Sequence, residues 1–127
     1  MKSWLSRLAK KMRRNKMGYY SDVALVLSPV AVKAFDEFIE EDNDLKALLD
    51  IANFTKDKEG CRIYVWNDIK WYGRNEISLL EDWLENVKGS QFIFHIIGED
   101  LEDVCTDGTF WNNPFECQII RRIEFTE

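Results

Sequence analysis

Three groups of side chains in this sequence are of the types from which functional sites are built. One is a run of carboxylates, Glu99, Asp100, Glu102, Asp103 and Asp107, which Asp68 could join. Hard cations such as Mg²⁺ and Ca²⁺ take oxygen ligands, so Glu99, Asp100 and Asp103 are the candidate metal ligands. The spacing is not that of an EF-hand calcium loop, however, and no phosphate-cradling glycine loop accompanies it. A solvated acidic loop accounts for the run without a metal, and a contact for a basic partner is the remaining reading. No cofactor is implied.

The second is His95, the only histidine, with Phe94 and Ile96 on either side. A catalytic base needs access to substrate and a second group to orient it. Neither Ser nor Cys lies at a recognisable nucleophile motif, so the expectation is a core or half-buried histidine hydrogen-bonded to a neighbour. The third is the aromatic set Tyr64, Trp66, Trp71, Tyr72, Phe110, Trp111 and Phe115. Stacked aromatics bind the bases of single-stranded nucleic acid, but that mode also needs a basic groove. Core packing accounts for most of these rings. A protein-binding hot spot, where Trp and Tyr are enriched, leads the functional alternatives.

Charge decides between those alternatives. The net charge of −6 conceals two opposite parts. Residues 1–16 carry seven basic side chains (Lys2, Arg7, Lys10, Lys11, Arg13, Arg14, Lys16) and no acidic one, leaving ten basic against 23 acidic residues, a net of −13, in the remainder. A domain that acidic repels nucleic acid and attracts basic surfaces, so direct nucleic-acid binding by the main domain is not expected. In the basic extension Trp4, Leu8 and Met12 recur at four-residue steps beside Leu5 and Ala9, an amphipathic helical pattern. So short a helix is marginal alone in water. It is read as a solvated extension ahead of a start at Met17, or as a segment that docks on nucleic acid, an anionic membrane or the protein's own acidic domain.

The elements that must position these groups follow from periodicity. At 127 residues, 46% of them hydrophobic, the chain suits one domain over residues 17–127. Residues 22–27 are apolar on both faces and read as a central strand. Ser28-Pro29 then supplies an N-cap and a first-turn proline for a helix with Ala31, Phe35, Phe38 and Ile39 inward and Asp36, Glu37, Glu40 and Glu41 outward. Asp42-Asn43-Asp44 caps a second short helix, 45–52, and the polar stretch 53–60 reads as a surface loop. Alternation over 63–72 predicts one bulged strand or a tight pair, with Tyr64 and Trp66 on the face opposite Ile63 and Val65. A helix capped by Asn75 places Ile77, Leu80, Leu84 and Val87 inward and Glu76, Glu81, Asp82 and Glu85 toward water, ending at Gly89. Residues 91–97 form a second strand apolar on both faces, 99–108 an acidic loop or edge strand, 110–114 an aromatic turn, and 116–125 a closing strand whose Arg121-Arg122 pair suits an edge or a bulge.

This order predicts an α+β fold: a single mostly antiparallel sheet of four to five strands covered on one face by two main helices, a ferredoxin-like sandwich. The aromatic face of the sheet, displaying Tyr64, Trp66 and Tyr72, is expected on the side that no helix claims. No run of about eighteen apolar residues could span a membrane, and no secretory signal is recognisable. Cys61, Cys105 and Cys117 are an odd number without a CxxC pair, which fits buried reduced thiols in a cytoplasmic protein.

Met17-Gly18-Tyr19-Tyr20-Ser21-Asp22-Val23-Ala24, Trp66-Asn67-Asp68-Ile69-Lys70-Trp71-Tyr72, Ile97-Gly98-Glu99-Asp100 and Asn113-Pro114-Phe115 together resemble a family of small proteins encoded by bacteriophages and prophages. The similarity runs through most of residues 17–125. The family has no assigned activity, so the resemblance carries over no catalytic residue. It implies a bacterial host cytoplasm, and Met17 as the family-like start.

The expected function is that of a non-enzymatic accessory protein binding a host protein with a basic surface, for instance as an inhibitor. The contact residues expected are Tyr64, Trp66, Trp71 and Tyr72 with the helix carboxylates Asp36, Glu37, Glu40, Glu41, Glu81, Asp82 and Glu85. One alternative is a small-ligand or divalent-cation-binding protein or small enzyme, with a pocket between the aromatic strand and residues 99–115. The other is a homodimeric structural module pairing through the open sheet face or the C-terminal edge.

Overall fold

The computed structural model describes residues 20–71, 75–98, 104–119 and 123–126. Its elements are β1 (Tyr20–Leu27), α1 (Pro29–Ile39), α2 (Asn43–Asp50), β2 (Phe54–Lys58), β3 (Cys61–Lys70), α3 (Asn75–Glu85), β4 (Phe92–Ile97), β5 (Val104–Gly108), β6 (Gln118–Ile119) and β7 (Ile123–Glu124). The first five strands make one antiparallel sheet in the order β2-β3-β1-β4-β5, so the fold is α+β, as the element order predicts. β1 sits at the centre, which is why its residues from Val23 to Leu27 are buried on both faces.

Local signals account for the helices. The Ser28 hydroxyl accepts the Ala31 N–H at 3.2 Å with Pro29 in the first turn, and Asp42 Oδ1 accepts the Leu45 N–H at 2.9 Å at the start of α2. α3 buries Ile77, Leu80 and Leu84, but it ends at Glu85 rather than at Gly89, which instead opens a 3₁₀ turn, Gly89–Gln91.

Residues 54–58, expected within a loop, are the edge strand β2. Thr55, Lys56 and Asp57 are exposed, and a polar edge carrying lysines hides the alternation that betrays a buried strand. What makes the hairpin is its turn. Glu59 and Gly60 both take positive φ, 53° and 80°, the handedness that a two-residue connection between twisted strands requires.

β3 is one strand with a bulge. Ser21 pairs with Ile69 and Val23 with Trp66, so Asp22 alone faces Asn67 and Asp68. Asp68 has φ 55°, and its N–H donates to Asp22 Oδ1 at 2.8 Å. The additional residue shifts the alternation by one, and Trp66, Ile69 and Trp71 therefore all end in the same core cluster.

That cluster lies under the helices. Val23, Leu25 and Leu27 of β1, Tyr64 and Trp66 of β3 and Phe92, Phe94 and Ile96 of β4 meet Phe35, Leu45, Leu48, Ile77, Leu80 and Leu84. The expectation of an aromatic face turned away from the helices is thus corrected. Register explains it: Tyr64 pairs with Leu25 and Leu25 with Phe94, so these three bulky side chains share a face, and the thick helical layer fills the space around them. The opposite face carries the smaller Ala24, Val26, Ile63, Val65 and Ile93, covered by Phe115 and Cys117 with Phe110, Ile123 and Phe125 packed alongside. The strand expected over 116–125 is accordingly not a sixth member of the main sheet. Its described parts are the short strands β6 and β7, paired with each other.

Candidate functional site

The contact residues proposed from sequence separate into three places. Trp66 and Trp71 are completely buried and Tyr64 nearly so, so their rings serve the core: Tyr64 stacks on Trp66 at 5.8 Å, and Trp66 meets Trp71 at 5.4 Å. The rings face the core in the folded protein, a correction to the expectation that they are displayed on an open face. Tyr72, Glu99, Asp100 and Asp103 lie outside the described residues. Among the described residues no group of His, Cys, Asp and Glu is arranged to hold a metal. The carboxylates divide as well. Glu37, Glu40, Glu41, Asp82 and Glu85 stand exposed, whereas Glu81, expected to face water, is only 3% exposed on the inner side of α3. Asp36 is exposed but engaged: Arg62 reaches it at 2.6 Å and reaches Asp57 at 2.6 Å, bracing α1 against the β2–β3 hairpin.

What sequence reasoning missed is a groove in the helical layer. The first turns of α1 and the residues around the end of α3 enclose a cleft of about 440 Å³ lined by Val30, Ala34, Trp83, Asn86, Val87 and Lys88. Gln91, which also lines it, is held to Ser28, whose N–H donates to the Gln91 carbonyl at 2.9 Å and whose hydroxyl meets Gln91 Oε1 at 2.5 Å. One wall is stiffened by Trp83, stacked on Phe38 at 5.6 Å and tilted against Phe35 at 5.0 Å. Val30 is 70% exposed, and Phe38 and Leu79 are also exposed. The signal that could have found it is a second stripe on α1: Val30, Ala34 and Phe38 recur at four-residue steps beside the buried stripe of Ala31 and Phe35.

The groove is lined mainly by apolar and neutral side chains, with Lys88 its one charged lining residue, while the helical layer as a whole is acidic. The two stretches that build the helical layer, residues 29–50 and 75–88, hold eleven acidic and three basic side chains, a net of −8. Lys88, which lines the cleft, and Lys33 on α1 are among the three.

His95 behaves as its surroundings predict. It is buried on the sheet face opposite the helices, with Nδ1 2.8 Å from Thr106 Oγ1 and Nε2 3.3 Å from the Cys117 carbonyl. A carbonyl only accepts, so Nε2 is the donor and Nδ1 accepts the threonine hydroxyl, the pattern of a neutral imidazole. Burial pushes its pKa below the ordinary histidine value, opposed by the bond to Cys117. Trp111, about half exposed, lies 5.5 Å from the ring. Cys61, Cys105 and Cys117 are buried free thiols. Burial pushes the Cys117 thiol up to about 12 and raises the other two, which leaves all three protonated and poorly nucleophilic.

In comparisons with known proteins, no family model, curated protein or solved structure matches this chain.

Proposed function

We propose that this is a non-enzymatic binding protein whose helical layer receives a basic, apolar-faced segment of a host protein, in the manner of an inhibitor. The observation that carries the reading is the Val30–Ala34–Trp83–Val87 groove, an exposed apolar cleft set in a layer of net charge −8. Apolar anchors in a cleft supply affinity, and the net charge of the whole helical layer supplies encounter rate and choice of partner. The occupied ring nitrogens of the buried His95 and the protonated thiols support binding over catalysis. The resemblance of residues 17–125 to small phage and prophage proteins supports a bacterial setting. No helix among the described residues is long and apolar enough to cross a membrane.

The test is fluorescence anisotropy of a labelled basic amphipathic peptide titrated with the full chain, with an acidic peptide of the same apolar pattern as control. Binding should favour the basic peptide, weaken about tenfold or more between low and high salt, and drop when Ala34→Arg places a cation in the groove. A flat salt response, or an Ala34→Arg chain that binds as well as the parent, refutes the reading.

A further inference from the structure

We propose that the groove is also a small-molecule site: it takes an organic carboxylate of modest size, with its apolar body against Val30, Ala34, Trp83 and Val87 and its charge at Lys88. This goes beyond the host-partner reading and does not depend on it. That reading draws on the charge of the whole helical layer, whereas this one needs only the side chains that line the cleft.

A cleft of about 440 Å³ lies within the roughly 300–1,000 Å³ of small-molecule sites, which are largely apolar with a few polar groups that fix orientation. Here the aliphatic side chains of Val30, Ala34 and Val87 face the occupant together with the indole of Trp83. That indole is already held by its stack on Phe38 and its tilted contact with Phe35. An apolar body therefore meets a wall set before it arrives, and little ordering is needed on binding.

The polar lining decides the charge of the occupant. Lys88 is the cleft's one charged residue, and among the described residues it makes no ion pair. Gln91 is oriented by Ser28, whose hydroxyl accepts the Ala31 N–H at 3.2 Å and gives its own hydrogen to Gln91 Oε1. With Oε1 engaged, Gln91 has the donor pair on Nε2 left to offer the cleft. Asn86 is the exception: Nδ2 donates to the Asp82 carbonyl at 3.0 Å and leaves Oδ1 an acceptor, but this residue is exposed and water can satisfy it. The first turn of α1 carries no acidic side chain, so the positive end of its dipole adds to the same sign. Ammonium and amide N–H groups bind a carboxylate through charge-assisted hydrogen bonds, roughly twice as strong as neutral ones. A cationic small molecule finds no carboxylate among the lining residues.

The net charge of −8 on the helical layer opposes an anion at range. At physiological salt that repulsion is screened over about 8 Å, whereas a carboxylate in the cleft touches Lys88 directly. Contact therefore sets affinity, and the layer only slows encounter.

The experiment is a titration of the full ¹⁵N-labelled chain with phenylbutyrate at about 0.15 M salt, followed by ¹H–¹⁵N correlation spectra. Phenylbutanol and phenylbutylamine, which share its apolar body, are titrated alongside. The backbone amides of Ala34 and Val87 and the Trp83 indole N–H should shift. Phenylbutyrate should bind at least about fivefold more tightly than either analogue. Lys88→Gln should remove that preference while leaving phenylbutanol binding unchanged, and Ala34→Leu, which fills the cleft from an exposed helix position, should weaken all three. Absence of these shifts at millimolar phenylbutyrate, equal binding of the three compounds, or a Lys88→Gln chain that keeps the preference overturns the proposal. The labelled basic peptide reads the other proposal separately. A chain that prefers phenylbutyrate but ignores the peptide upholds the carboxylate site and refutes the host-partner reading, and one that binds the peptide without that preference does the reverse.

Discussion

Trp66 offers the sharpest discrimination between a surface anchor and a core residue. Its indole is fully buried, and Nε1–H donates to the Leu48 carbonyl at 2.8 Å. Leu48 stands in the last turn of α2. The Ala52 N–H that an α-helix would aim at that carbonyl bonds instead to Leu49 at 3.2 Å, so the indole satisfies a helix-end acceptor from across the core. In Trp66→Phe the ring shrinks by about 40 Å³, and at about 24 cal/mol per Å³ of cavity the void costs about 1 kcal/mol. The Leu48 carbonyl, left buried without its donor, adds about 1–3 kcal/mol. The sum, about 2–4 kcal/mol, is a large fraction of the stability of a domain this size, about 5–15 kcal/mol. Urea denaturation followed by far-ultraviolet circular dichroism should show a lower midpoint at unchanged slope. The melting temperature should fall by roughly 10 °C. Loss of less than about 0.5 kcal/mol, the range of an ordinary surface substitution, would refute the buried, bonded role and return Trp66 to the surface.

Two further substitutions probe the sheet. Gly108 closes β5 at φ +83°, and a Cβ there would collide with the Phe92 carbonyl, so Gly108→Ala should destabilise the protein by more than about 2 kcal/mol in the same assay; a neutral result would mean that β5 does not pack this closely on β4. His95 predicts a pH dependence with a definite sign. Its folded pKa lies below the unfolded value of about 6.5, so between the two values the unfolded chain binds more protons. The stabilisation it contributes is complete above about pH 6.5 and is lost as the pH falls through the folded value. Unfolding midpoints measured from pH 7.5 down to 5 should decline, and His95→Asn should flatten that decline; an unchanged slope in the variant would refute it.

Much of the fold is legible in single residues. Ser28-Pro29 and Asp42 start their helices where side-chain caps dictate, because a cap is a contact between residues three apart. Ile77, Leu80 and Leu84 line one side of α3 because helical spacing alone brings them together. Residues 22–27 read as a central strand because both of their faces are apolar. Glu81 departs from the same logic: its charge predicts a place in water, yet its position on the helix turns it inward. Residues 54–58 escaped because an edge strand needs only one paired side and tolerates charge on the other.

The amino-acid pattern by itself determined the central strand, the capped helices, the buried thiols and a strongly acidic domain behind a basic extension. It could not determine which face of the sheet the helices cover. β1 and β4 are apolar on both sides, and the choice depends on which cover, the helices or the returning Phe110–Phe125 segment, fits the bulky side and which the smaller one. Nor could it place the groove. Its walls come from α1 and from the end of α3, about fifty residues apart in the chain, and the gap between two helices is set by the side chains that separate them rather than by the period of either.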